Sequence, residues 1–191
     1  MRFLMDCRVT SVLLLVLAAC VVAQQPSPSP PPSDATTSIY AGLAGDWVGQ
    51  LEYRDYSSNE RVFLPTWLTV KAAGDGKSVQ LAYTYDDGPN KTVKELSTLV
   101  LDATAGKATF TSDREHSSDT YKVDGLADFA KTGQGKLVLT GNGVENDKKV
   151  DVRITIAARR NLYTYVKDTR LPGQEFQFRD GYTFTRKEPA P

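Results

Sequence analysis

Residues 45–53 read Gly45-Asp46-Trp47-Val48-Gly49-Gln50-Leu51-Glu52-Tyr53, and this stretch decides the fold. With a period of two, Trp47, Gly49, Leu51 and Tyr53 fall on one face and Asp46, Val48, Gln50 and Glu52 on the other. That is a half-buried β-strand, entered through a glycine and led by a large indole. Such a ring is hard to place between the helices of a small α-domain. It fits across the open end of a small β-barrel, where it acts as a floor.

Outward from this strand the pattern repeats. Val62, Leu64, Thr66, Leu68 and Val70 alternate with Phe63, Pro65, Trp67, Thr69 and Lys71, and Pro65 calls for an edge or a bulge. Ala73-Gly74-Asp75-Gly76 turns the chain into Val79, Leu81, Tyr83 and Tyr85, and Asp86-Asp87-Gly88-Pro89-Asn90 turns it again. Further strands are expected at 94–102, 107–112, 120–127 and 136–140. The clearest alternation sets Val150, Val152, Ile154 and Ile156 against Asp151, Arg153 and Thr155. Segments 162–167, 175–179 and 182–186 complete the set. Helical periodicity is almost absent. Neighbouring antiparallel strands of one apolar parity either close or leave two exposed edges. The reading is therefore all-β: a single antiparallel up-and-down β-barrel of about 8–10 strands over 39–188, with a two-sheet β-sandwich as the alternative.

The first residues form a short basic head, Met1-Arg2-Phe3-Leu4-Met5-Asp6-Cys7-Arg8, followed by the apolar run Val12 to Ala19. This is the pattern of a signal peptide over 1–19, and the run is shorter than the roughly 20 residues of a membrane span. Leu17-Ala18-Ala19-Cys20 resembles the lipobox of bacterial lipoproteins. That resemblance implies cleavage before Cys20, lipidation of its thiol and, with Val21 following, sorting to the outer membrane facing the periplasm. Cleavage after Val21-Val22-Ala23, giving a soluble periplasmic or secreted protein, is the alternative. Cys7 and Cys20 are the chain's two cysteines, so the body holds no disulfide. Residues 24–33, Gln-Gln-Pro-Ser-Pro-Ser-Pro-Pro-Pro-Ser, favour polyproline II and read as a spacer, so 20–38 is expected to be anchor and linker.

The whole chain carries 23 basic and 23 acidic residues, and without the signal the net charge is about −1. No basic patch stands out, so nucleic acid is not expected as a partner. His116, the single histidine, lies in the polar run Asp113 to Asp119 and reads as a loop residue. One histidine and no body cysteine give no metal site. Asp86-Asp87 reads as a turn because the spacing lacks the alternating oxygen ligands of a calcium loop. Glu52, Arg54 and Asp55 read as strand-end charges. Asn90-Lys91-Thr92 is a glycosylation sequon, meaningful only in a eukaryotic secretory route.

Gly45-Asp46-Trp47 before the first strand is similar to the Gly-x-Trp signature of lipocalins and their calycin relatives. The resemblance implies that Trp47 closes the bottom of the barrel and that Arg186, on the last strand, packs across its face, a structural pair. The chain departs from lipocalins in its strand number and in having no disulfide and no evident C-terminal helix. Ten strands suit the fatty-acid-binding or nitrobindin-like branches better, although the heme-ligating histidine pattern of the latter is missing. Many aromatics share parity with the apolar faces of their strands. Tyr53, Tyr83, Tyr85, Tyr121 and Phe178 are the candidate ligand-binding residues, because clustered buried phenols call for water or a partly polar ligand.

The expected function is thus an exported, lipid-anchored cell-envelope protein, not an enzyme, that binds a small apolar or amphipathic molecule. It needs no cofactor and meets the membrane only through its N-terminal lipid. The alternative is a non-enzymatic envelope interaction module with a filled core, binding protein or glycan by its loops or outer face.

Overall fold

The computed structural model of the protein describes residues 39–187. The expected signal peptide at 1–19, the cysteine and linker at 20–38, and residues 188–191 lie outside them.

Ten strands form one closed antiparallel barrel: β1 (Gly45–Arg54), β2 (Arg61–Ala72), β3 (Ser78–Asp86), β4 (Thr92–Asp102), β5 (Lys107–Ser112), β6 (Ser117–Asp124), β7 (Gly135–Glu145), β8 (Lys148–Arg159), β9 (Leu162–Arg170) and β10 (Gln177–Arg186). Each strand pairs with its neighbours in sequence, and β10 closes on β1, with Trp47 opposite Arg186 and Tyr53 opposite Asp180. Closure removes the edges that a sandwich would expose. Pro65 lies where β2 is paired only to β1, one residue before the β2–β3 ladder begins at Thr66, so its missing N–H costs no rung on the β3 side.

The elements differ from the sequence reading in two places. The sixth strand ends at Asp124, and a short helix α1 (Leu126–Thr132) follows, flanked by Gly125 and Gly133 with positive φ. Its burial comes from Leu126 and Phe129 alone, too little for a helical period to stand out. Segments 175–179 and 182–186 join as one strand, interrupted by a bulge between Phe178 and Asp180.

One end of the barrel is shut. Trp47 is 1% exposed, donates its indole N–H to the Leu43 carbonyl at 2.9 Å, and carries the Arg186 guanidinium 4.1 Å above its ring. Arg186 also donates to the carbonyls of Ala44, Gly42 and Arg160 at 2.6, 3.0 and 2.7 Å. Tyr40 accepts from the Leu101 N–H at 2.9 Å and donates to the Lys77 carbonyl at 2.8 Å. This ties residues 39–41, a helical turn, beneath β3 and β4. A Cβ on Gly42 would lie 1.7 Å from the Gly133 carbonyl, so this turn and the end of α1 meet backbone to backbone.

Above the floor, Gly49 leaves room for the neighbouring strand. A Cβ there would fall 1.9 Å from the Thr183 carbonyl oxygen and 2.9 Å from the Phe184 ring. Gly49→Ala is therefore expected to lower stability by about 3 kcal/mol or more, the upper range for overpacking, because one obstacle is backbone. Urea unfolding checks this. A variant as stable as the parent would show that β1 can shift freely against β10.

Candidate functional site

The barrel interior is divided along its length. In the lower half, Leu68, Leu99, Leu137, Leu139, Ile156 and Phe184 are essentially inaccessible and fill the space. In the upper half, toward the β5–β6 and β7–β8 turns, a cavity of about 360 Å³ remains, lined by Tyr53, Tyr83, Phe110, Tyr121, Tyr165 and Tyr182 together with Glu95, Ser97, Lys167 and Asp180. This lies near the lower bound of ligand pockets, roughly 300–1,000 Å³. A wholly filled core, the premise of the interaction-module alternative, does not describe this interior.

The rings form a connected series from floor to mouth. Trp47 meets Tyr163 at 5.9 Å between centroids, Tyr163 stacks on Phe184 at 5.9 Å, and Phe184 on Tyr182 at 5.6 Å. Tyr182 meets Tyr165 edge-on at 5.7 Å, Tyr165 meets Phe110 at 6.2 Å, and Phe110 meets Tyr121 at 6.4 Å. These separations suit the quadrupoles of aromatic pairs. Burial drives the phenols of Tyr83, Tyr165 and Tyr182 well above the usual tyrosine range and pushes Tyr121 up to about 12. At neutral pH they are uncharged and available to donate or accept hydrogen bonds.

Asp180 is the exceptional member. It follows the bulge on β10, opposite Lys167 on β9 and Tyr53 on β1. Burial raises its carboxyl to about 6, although Lys167 and Arg179 pull the other way. Among the described residues it makes no side-chain hydrogen bond. Arg179, the bulged residue, reaches across the mouth: it lies 3.7 Å from Glu145, stacks over the Tyr56 ring and donates to the Arg54 carbonyl. Asp180 thus stands half-buried in the cavity lining between the tyrosines and the cations of Lys167 and Arg179, with its carboxyl oxygens able to accept a hydrogen bond.

The structure places the five candidate residues differently. Tyr53, Tyr83 and Tyr121 line the cavity. Tyr85 is buried beside it, its hydroxyl 3.0 Å from that of Tyr182. The inward placement of Phe178 is corrected: the bulge at Arg179 inverts side-chain parity before Asp180, and Phe178 lies under the Arg61 guanidinium at 4.6 Å, paired opposite Asp168. Phe176 likewise sits between Arg153 and Arg170, at 4.3 and 4.4 Å, and these arginines pair on the outer face with Asp168 and Asp151. The sequence reading missed Tyr165 as a lining residue, though the alternation Tyr163, Tyr165, Lys167 carries it. Nothing in the local pattern marks Asp180, because charge at an inward position is legible only once parity is known. His116 occupies the β5–β6 turn with φ 50°. No cluster of three potential metal ligands occurs among the described residues.

These features define the class: a ten-stranded, calycin-like barrel with a tryptophan–arginine floor and a hollow upper half. No family profile matches the chain. No curated protein matches it by sequence. Among solved structures it is similar to the S-type phycobiliprotein lyase CPES from Guillardia theta (10% identity, TM-score 0.53, 80% of this chain and 92% of the lyase). It is also similar to Rv2717c from M. tuberculosis (13% identity, TM-score 0.54, 80% and 98%). Both share the fold. The expectation that the chain is not an enzyme is corrected by the first of these: the same barrel is used by a lyase, so the architecture gives no ground for setting catalysis aside.

Proposed function

We propose that the chain binds a small amphipathic molecule in the upper half of its barrel, with an aromatic or apolar body against the tyrosines and a donor or positive group at Asp180. The observation that carries this reading is the tyrosine-walled cavity with the Asp180 carboxyl in its lining, making no side-chain hydrogen bond among the described residues. The likeness in fold to a phycobiliprotein lyase supports it.

Two measurements test it, on the full chain carrying Cys7→Ser and Cys20→Ser. Native mass spectrometry is expected to show a reproducible added mass that denaturation releases. Dansylamide, a compact aromatic probe, is expected to bind with a blue-shifted emission. Ser97→Phe, which places a ring inside the cavity, is expected to weaken that binding at least tenfold. Undiminished binding by Ser97→Phe, or no binding by the parent, overturns the reading.

The cellular setting we infer rests on residues 1–38: export by the signal at 1–19, a lipid on Cys20 facing the periplasm from the outer membrane, and a Pro/Ser linker leading to the barrel domain at 39–188. Among the described residues no helix is long and apolar enough to cross a membrane. Cys20→Ser is expected to move the protein from the membrane fraction to the soluble fraction. Retention with membranes would favour another attachment.

A further inference from the structure

The barrel wall is incomplete along one seam. Between β6 and β7 the ladder pairs only Lys122–Asp124 with Val138–Thr140, whereas β5–β6 is paired from Lys107 to Ser112 and β7–β8 from Gly135 to Glu145. The two strands are joined by α1 and are paired beside it, and they part at the opposite end of the ladder, above Lys122. Residues 117–121 of β6 and 141–145 of β7 therefore face each other without rungs. The seam holds a cleft of about 800 Å³ that shares Glu115, Ser117, Asp119, Tyr121 and Lys167 with the interior cavity.

Tyr121 sits at the closed end of this slit. Its ring lies over Gly141, where a Cβ would come within 2.7 Å of it. The same ring faces Phe110 on the interior side, so the aromatic wall runs without interruption from the barrel into the slit. The slit's lining is mixed, with Lys149 and Lys167 beside four carboxylates, Glu115, Asp119, Glu145 and Asp151. Asp151 is held by Arg170 at 2.9 Å, and Glu145 accepts from Thr169 at 2.9 Å. Glu115 and Asp119 form no ion pair among the described residues, and they line both spaces.

We propose that the slit and the barrel cavity are one binding site for an elongated amphipathic ligand, whose ring occupies the barrel and whose amine-bearing tail leaves between β6 and β7 past Glu115 and Asp119. This rests on the ligand-binding reading above and adds the length and tail chemistry of the ligand. The interior cavity alone is small, while the adjoining space is larger and open at the mouth. A ligand confined to the barrel would leave that seam without use.

Dansylamide and dansylcadaverine test this, since they share a fluorophore and differ by a five-carbon tail ending in an amine. On the full chain with Cys7→Ser and Cys20→Ser, dansylcadaverine is expected to bind at least tenfold tighter than dansylamide. Asn142→Cys or Val144→Cys, each on the β7 rim outside the barrel cavity and then labelled with a bulky biotin maleimide, blocks the slit. Both labelled proteins are expected to bring the two affinities within twofold of each other while dansylamide binding is retained. The same label on Lys71→Cys, on an exposed position of β2, is expected to leave the tenfold advantage intact.

An advantage below threefold in the parent overturns the proposal, as does one that survives both labels or is lost with the label on Lys71→Cys. Loss of dansylamide binding with the slit labels also overturns it, because slit and barrel would then not be separable parts of one site. Failure of both probes to bind the parent removes the ligand-binding reading itself, and the proposal with it.

Discussion

Asp180→Asn is expected to stabilise the protein by about 2–3 kcal/mol at pH 7.5 and to change its stability little at pH 4. The carboxyl in the folded barrel holds its proton up to about 6, above the ordinary carboxylate value of 3.8, chiefly because burial penalises its charge. The folded chain therefore binds more protons than the unfolded chain between those two pH values. Its contribution to stability is fully present below about 3.8, declines as pH rises toward 6, and is lost above it. The amide keeps the shape of the neutral acid and has no charge to bury, so the difference between the two proteins should open across that window. Urea unfolding at pH 4, 5, 6 and 7.5 measures it. A difference that is constant with pH would assign the effect to packing or to a new hydrogen bond of the amide.

Trp47→Ala is expected to cost about 3–5 kcal/mol, the usual range for a buried aromatic truncation, and to lower the melting temperature by roughly 10 °C or more. The indole is 1% exposed and is held on three sides: by its N–H on the Leu43 carbonyl, by Tyr163, and by Arg186 across its face. Removing the ring leaves the guanidinium without its π-face and the Leu43 carbonyl without its donor. Arg186→Lys is expected to be destabilising as well, because a single ammonium cannot reproduce the fork that reaches the Gly42, Ala44 and Arg160 carbonyls together. Trp47 and Arg186 do not line the cavity, so both variants, held well below their melting temperatures, should bind dansylamide as the parent does. Thermal unfolding paired with the binding measurement separates the two ends of the barrel. A loss of binding that tracks the loss of stability would mean that floor and cavity fold as one inseparable unit.

How much of this was legible from residue order follows from the range over which each force acts. Alternation of Trp47, Gly49, Leu51 and Tyr53, and of Val150, Val152, Ile154 and Ile156, is local and two-residue periodic, so strand identity and the inward face could be read directly. The number of such strands and their short turns led to closure. By itself, then, the sequence determined an all-β chain of about ten antiparallel strands in a barrel. The placement of Arg186 over Trp47 came from likeness to a family, and the closed ladder supplies its physical cause by setting the two residues opposite each other on β10 and β1.

Only the tertiary structure decided the site. The bulge at Arg179 reverses parity for everything before it, turning Phe176 and Phe178 outward, and no local pattern announces one unpaired residue. The hollow of the upper half is a difference between side-chain volume and barrel volume, a sum over all strands to which no single segment holds the key. Asp180 has its character because distant residues exclude water around it, and the slit exists because β6 and β7 stop pairing above Lys122. Burial, enclosed volume and strand divergence belong to the whole packed barrel. They arise only once residues far apart in the chain, such as Tyr53 and Asp180 or Tyr121 and Gly141, are brought together.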